Sequence, residues 1–263
     1  MPDPESGRGG FGRRLLYRLH FVAAVLVGGT VFVVLSLLAA FRIAVLKWDR
    51  ERVMRTWIPF WWRIMSGLLG WDVTVDGEER FDASRPAVIA VNHQSSLDIV
   101  LWARFFPPRT VVVGKKQIRK IPVWGYIFKG TENILIDREN AERARQSVAE
   151  AGRRINAERL NVWMAPEGHR NLGPEMLPFK KGTFHLAVAA QVPVLPVIVG
   201  PVWTVFDSAR WMLRPGRVHV KVLAPIPTEG LTDAEIDPLL RRVRAAMDAA
   251  RRELIASAGE RIG

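Results

Sequence analysis

The distribution of apolar side chains divides this chain into stretches of different character. From Phe21 to Ala40 the sequence carries no charge, a run long enough to cross roughly 30 Å of hydrocarbon as a helix. Arg13, Arg14 and Arg18 precede that run, and Met1 to Gly12, rich in Gly, Pro and charge, is expected to be disordered. Lys47 to Trp71 interleaves Trp48, Trp57, Trp61, Trp62 and Trp71 with Arg50, Arg52, Arg55 and Arg63. Amphipathic rings among cations suit a membrane–water interface. Pro59 is expected to start or kink a helix there. From Trp71 onward, short apolar runs alternate with helical periodicities. Strands are expected at Asp72 to Val75, Val88 to Val91, Thr110 to Val113, Thr131 to Arg138, Leu160 to Ala165, Val192 to Gly200 and Val218 to Leu223. Helices are expected after Asp98 and at Ala141 to Arg159, Thr183 to Ala190 and Thr232 to Ala256. Pro193 and Pro196 argue for an edge or a bulge rather than a central ladder. The pattern predicts an α/β fold, a central mixed sheet flanked by helices, preceded by a membrane-anchoring helical segment. It assigns residues 1–70 to the tail and anchor and 71–263 to a catalytic domain.

Composition narrows this picture. The chain has no cysteine, which excludes thiolate catalysis, disulfides and cysteine-ligated zinc. Five histidines, at 20, 93, 169, 185 and 219, form no close ligand pair, so no metal is expected. A formal charge of +12 calls for an anionic partner, nucleic acid or anionic lipid, and the bare apolar run favours the lipid. That run is long for the apolar core of a secretory signal, and no A-x-A site follows it. Positive charge flanks it on both sides, so a spanning helix and a hairpin dipping into one leaflet both remain open.

Candidate chemistry begins where the apolar run Val88 to Val91 stops at Asn92-His93. With Ser95 or Ser96 starting a helix, His93 falls at the mouth of a strand-to-helix turn and Asp98 about one turn inside the helix. A carboxylate that accepts a hydrogen bond from one ring nitrogen fixes the tautomer and leaves the other as a general base. Ser95-x-x-Asp98 is equally a helix-start pattern with no catalytic meaning. Backbone N–H groups from Gln94 to Ser96 are candidates for an oxyanion site. A second cluster is Pro166-Glu167-Gly168-His169-Arg170, where Gly168 permits unusual dihedrals and close approach and Arg170 offers a planar fork for a phosphate. Glu167 either orients that fork, bonds a hydroxyl or staples the loop. Lys116, ending another strand, either engages a phosphate or belongs to a solvated face. The arginines from Arg241 to Arg252 read as a solvated or membrane-facing surface.

Four blocks in order, Asn92 with His93-x-x-x-x-Asp98, Ile136-Asp137-Arg138, Pro166-Glu167-Gly168-x-Arg170 and Val192-Pro193-Val194-x-Pro196, resemble the glycerolipid acyltransferase family, and within it the bacterial 1-acylglycerol-3-phosphate acyltransferases. The resemblance covers roughly Trp71 to Gly200. It implies acyl transfer from acyl-CoA or acyl carrier protein, a co-substrate rather than a cofactor, to a lysophospholipid hydroxyl. His93 and Asp98 would be catalytic, with Asn92, Ser95, Lys116, Arg138, Glu167, Gly168 and Arg170 binding substrate. For Arg138 the alternative is a pair with Asp137 or a helix carboxylate. The resemblance also implies the cytoplasmic face of a bacterial inner membrane, no nucleic-acid partner and a hairpin anchor. Three positions depart from the family pattern: Glu132 where glycine is frequent, His169 for threonine and Asn171 for serine. They leave glycerol-3-phosphate or a lyso-aminolipid open as acceptor. A lipid hydrolase is disfavoured because no G-x-S-x-G elbow occurs. A non-enzymatic basic membrane-surface protein would explain the charge but not the ordered motifs.

Overall fold

The structure is a computed structural model and describes residues 8–259 except 83–84, 122–123, 137–140, 172 and 174. Two helices lead the chain. The first, α1 (Arg8–Ala44), reaches back into the segment expected to be disordered, and residues 1–7 of that segment lie outside the described residues. The second, α2 (Arg50–Leu69), starts at an Asp49 cap whose side chain accepts from Arg52 N, and ends on Gly70 in the left-handed conformation. Pro59 lies inside α2 instead of at its start.

The remaining elements are β1 (Trp71–Asp76), β2 (Val88–Val91), α3 (Asp98–Arg104), β3 (Thr110–Lys115), α4 (Trp124–Gly130), β4 (Ile134–Ile136), α5 (Ala141–Glu158), β5 (Asn161–Met164), α6 (Gly182–Ala190) and β6 (Val194–Val199), of which all but α4 were expected. The small hairpin β7 (Phe206–Asp207) and β8 (Met212–Leu213), which no periodicity announced, then precedes β9 (Gly216–Val222) and α7 (Ile236–Gly259). A Thr232–Glu235 capping box opens the 3-10 turn that leads into α7.

Seven strands form one sheet in the order β1-β9-β6-β2-β5-β3-β4. It is mixed: β6 and β9 pair antiparallel, and the other neighbours pair in parallel. Alternation along each strand builds two cores. Val88 and Ala90 join α5, α6 and α7 on one face, while Ile89 and Val91 join α1, α2 and α3 on the other. Val192 to Gly200 was expected to avoid the sheet interior, yet β6 lies between β9 and β2 with every residue buried. Pro196 fits because its carbonyl accepts from Leu223 N and its proton-less nitrogen lies just beyond the β6–β9 ladder, which begins at Val197.

The two helices pack on each other and on the α/β domain, sharing a core with one face of the sheet. Phe21 stacks on Phe206 with ring centroids 5.2 Å apart, His20 Nε2 meets Leu68 O at 2.6 Å, and Ala40 approaches Gly130 so closely that a Cβ there would lie 2.6 Å from the Ala40 Cβ. The tryptophans divide accordingly. Trp61 and Trp71 are buried, Trp57 and Trp62 are half-buried, and Trp48 is exposed. Gly12–Ala44 is long and apolar enough to cross a membrane, and many of its side chains face outward, Leu26 at 65% exposure among them.

Candidate active site

The sheet order explains why distant motifs meet. Strands β2 and β5 are parallel neighbours, so the loops at their carboxyl ends leave the same edge side by side. One loop carries His93 and the other Glu167 to Arg170.

On the first loop, His93 Nδ1 donates to Asp98 Oδ2 at 2.7 Å. The imidazole is 26% exposed and the carboxylate 1%. The shared proton fixes the tautomer and turns Nε2 outward as an acceptor. Trp102, one turn further along α3, lays its ring 5.1 Å from the imidazole and is backed by buried Trp163. Asp98 is the first residue of α3, so the helix starts later than the serines suggested. Its Oδ2 also accepts from Gln94 N at 2.6 Å and Ser95 N at 2.9 Å. One oxygen of Asp98 therefore makes both the contact to the imidazole and the contacts to the backbone at the helix start. The same bonds correct the oxyanion expectation, since two of the three candidate amides are already committed to Asp98.

Asn92 points into the protein. Fully buried, it exchanges hydrogen bonds with the backbone of Val199, Asn92 Nδ2 to Val199 O at 3.0 Å and Val199 N to Asn92 Oδ1 at 2.8 Å. Gln94 Nε2 donates to Val199 O and Gly200 O beside it. These amides fasten the end of β2 to the end of β6. Ser95 is buried with its hydroxyl accepting from Leu97 N, although the residue still borders the cavity described below.

On the second loop, Glu167 is 1% exposed. Its Oε1 accepts from His93 N at 3.2 Å, and Oε2 accepts from Asn171 Nδ2 at 3.1 Å and Leu177 N at 2.8 Å. Asn171 N in turn donates to His93 O at 2.7 Å. Glu167 and Asn171 thus hold the backbone of the histidine, a role different from the substrate contact expected of Glu167. Two arginines of α7 brace the same loop. Arg244 donates to the carbonyls of Met176 and Leu177, and buried Arg251 donates to Gly173 O at 2.9 Å. Burial pulls the Arg251 pKa down, while the charges of Glu167 and Asp248 oppose that shift. The expectation of a solvated arginine face fails for these two residues.

Gly168 takes φ +73°, the left-handed region its lack of a Cβ permits. Arg170, exposed beyond it, donates from Nη1 to Ser96 Oγ and so bridges the two loops above His93. For Ser96 only the backbone N–H was expected at the site; the part played by its hydroxyl is revealed by its position across from Arg170. His169 is exposed on the same loop.

Lys116 sits exposed in the 3-10 turn after β3, two strands from β2, a lateral offset of roughly 10 Å. Arg138 lies outside the described residues. Glu132 has φ +59°, which accounts for the glycine frequent at that place in the family it resembles, and it borders neither cavity beside the dyad. Among the described residues no group of three histidines or carboxylates converges as metal ligands.

Comparisons with known proteins place the chain in a family. The Acyltransferase family matches residues 72–200. An uncharacterized acyltransferase of Schizosaccharomyces pombe is 37% identical over 187 residues, 70% of this chain and 67% of that protein. A 1-acyl-sn-glycerol-3-phosphate acyltransferase of Haemophilus influenzae is 39% identical over 153 residues, 58% of this chain and 63% of its own length. The crystal structure of the 1-acyl-sn-glycerophosphate acyltransferase PlsC from Thermotoga maritima superposes with a TM-score of 0.67 at 27% identity, covering 92% of this chain and 96% of that one.

Proposed function

The chain belongs to the acyltransferase family, and from that premise we propose that it moves a fatty acyl group from an acyl thioester to the free 2-hydroxyl of 1-acylglycerol-3-phosphate, giving phosphatidic acid. The observation that carries this reading is the 2.7 Å His93–Asp98 bond with Arg170 bridging to Ser96 across the same rim. Nε2 of His93 removes the hydroxyl proton as the oxygen attacks the thioester carbonyl, and Asp98 supports the imidazolium that forms. The tetrahedral intermediate then expels the thiolate, which takes the proton back from His93 and leaves as a free thiol. Arg170 pairs with the acceptor phosphate, with Lys116 and Arg138 as further cations toward it. The Haemophilus protein and PlsC, named for the same acceptor, support that choice.

The test is thiol release from acyl-CoA or acyl carrier protein by the detergent-purified protein, with and without lysophosphatidic acid. We expect acceptor-dependent turnover that His93→Ala abolishes; turnover that survives the substitution removes His93 as the base. Glycerol-3-phosphate and lyso-aminolipids in the same assay separate the sister acceptors, and thiol release without acceptor would favour a hydrolase.

The site works at a membrane surface, in this reading the cytoplasmic face of a bacterial inner membrane, with α1 lying in one leaflet. Phe21 and Ala40 are roughly 28 Å apart along α1, about the thickness of the hydrocarbon, yet both touch the same folded domain. A spanning α1 would drag that domain into the bilayer. Because the chain has no cysteine, single cysteines placed at Leu16 and Leu46 report sidedness cleanly. Labelling of both from the same side is expected; labelling from opposite sides overturns the one-leaflet placement.

A further inference from the structure

Two apolar cavities flank the dyad, and the reaction proposed above ends with two acyl chains on one glycerol. The smaller, about 210 Å³, lies behind Trp102, the residue packed on His93. Its far side meets Arg50, whose guanidinium donates to Thr131 O at 2.8 Å and Thr110 O at 2.5 Å. The larger, about 560 Å³, opens between α1 and the β7–β8 hairpin, with Ser95, Ser96 and Arg170 on its border. Phe32, Trp61 and Ile99 border both, and the Phe32 and Trp61 rings, 4.9 Å apart, form the partition.

We infer that the larger cavity seats the acyl chain already carried by the lysophospholipid acceptor, leaving the smaller one to the chain being transferred. The inference rests on the acceptor reading above and adds where that acceptor's tail goes. Charge separates the two cavities. Among the described residues, Arg170 is the one charged residue on the border of the larger cavity, so a phosphate held there places a glycerol-linked tail directly over apolar walls. Among the described residues the only cation of the smaller cavity is Arg50, and two backbone carbonyls already occupy it. Access separates them as well. Val25 of α1 and Trp211, on opposite walls of the larger cavity, are 44% and 61% exposed on the apolar surface, so a tail can slide in from lipid without passing through water. Gly29 keeps one wall recessed, since a Cβ there would meet nothing within 4 Å.

The experiment uses the full-length protein in detergent, one fixed acyl-CoA donor and lysophosphatidic acids of increasing chain length. Acceptor kcat/KM is expected to climb roughly two- to fourfold per added methylene until the cavity fills. Gly29→Phe and Ala209→Phe narrow the cavity from opposite walls. Each is expected to lower kcat/KM for long-chain acceptors about tenfold relative to short-chain ones, while the ranking of donor chain lengths stays as in wild type. Gly67→Phe, on α2 away from both cavities and with nothing within 4 Å of its Cβ, is the control and should behave as wild type. If both cavity variants lower short- and long-chain acceptors equally, or change the donor ranking instead, the tail is not seated here. Failure of the wild type to use any lysophosphatidic acid overturns the acceptor reading and this inference together, a result distinct from an active enzyme with an unmoved chain-length profile.

Discussion

The turn that carries the dyad and the helix that faces it across the larger cavity are built in opposite ways. On the turn, Asn92, Asp98 and the adjoining Glu167 are polar and at most 1% exposed; on α1, Leu16, Leu19 and Leu26 are apolar and 58% to 65% exposed. Each inverts the ordinary relation of polarity to burial, and for a different reason. A buried carboxylate is tolerable when it is strongly hydrogen-bonded, and three donors converge on Asp98 Oδ2, while Oδ1 is buried with no hydrogen-bond partner among the described residues. An exposed leucine surface is tolerable when the surrounding phase is lipid. The turn is thus specified by a few directed hydrogen bonds and the helix only by its average polarity, which suits the fixed base and the movable, greasy substrate proposed above.

That contrast can be broken at either end. The largest effect is expected from Asp98→Asn, which removes the charge that supports the imidazolium and offers the Gln94 and Ser95 amides a weaker acceptor. By analogy with the aspartate of serine-protease triads, kcat should fall roughly 10³- to 10⁴-fold. A loss below tenfold in steady-state assays would mean the turn does not set up the base. Next comes Glu167→Ala, which strands the His93 and Leu177 N–H groups. At about 1–3 kcal/mol per buried unsatisfied donor, thermal unfolding should show a loss of about 2–5 kcal/mol together with reduced kcat. An unchanged melting temperature with a raised acceptor KM would return Glu167 to the substrate. The smallest effect on folding is expected from Leu26→Ala, within about 0.5 kcal/mol, against about 2–5 kcal/mol for Ile89→Ala in the core. Leu26→Ala should instead weaken binding to anionic liposomes in a flotation assay. Equal destabilisation by the two substitutions would show that α1 is ordinary core.

Much of this arrangement was legible along the chain, and the failures share a cause. The ends of β2 and β5 were readable because an apolar run that stops at a polar turn is a local event. The five-residue spacing from His93 to Asp98 was readable because a turn followed by a first helical residue returns a short side chain to its start. Asn92 and Glu167 were assigned to substrate because neither sequence position says which way a side chain points. Their partners, Val199 and His93, lie 107 and 74 residues away. Arg244 and Arg251 looked like surface for the same reason, and Pro196 looked like an edge until the end of the β9 ladder accounted for its nitrogen.

By itself, then, the sequence determined most of the strands and helices, though not α4 or the β7–β8 hairpin, where the chain turns polar, that the N-terminal run seeks an apolar phase and which imidazole and carboxylate stand near each other, all consequences of neighbours within a few residues. Tertiary structure alone decided that β5 lies beside β2, that Arg170 reaches Ser96, that Glu167 supports the histidine's backbone and that α1 walls a cavity. Strand order and helix docking are set by the joint burial of many distant side chains, and no single stretch of the chain contains that sum.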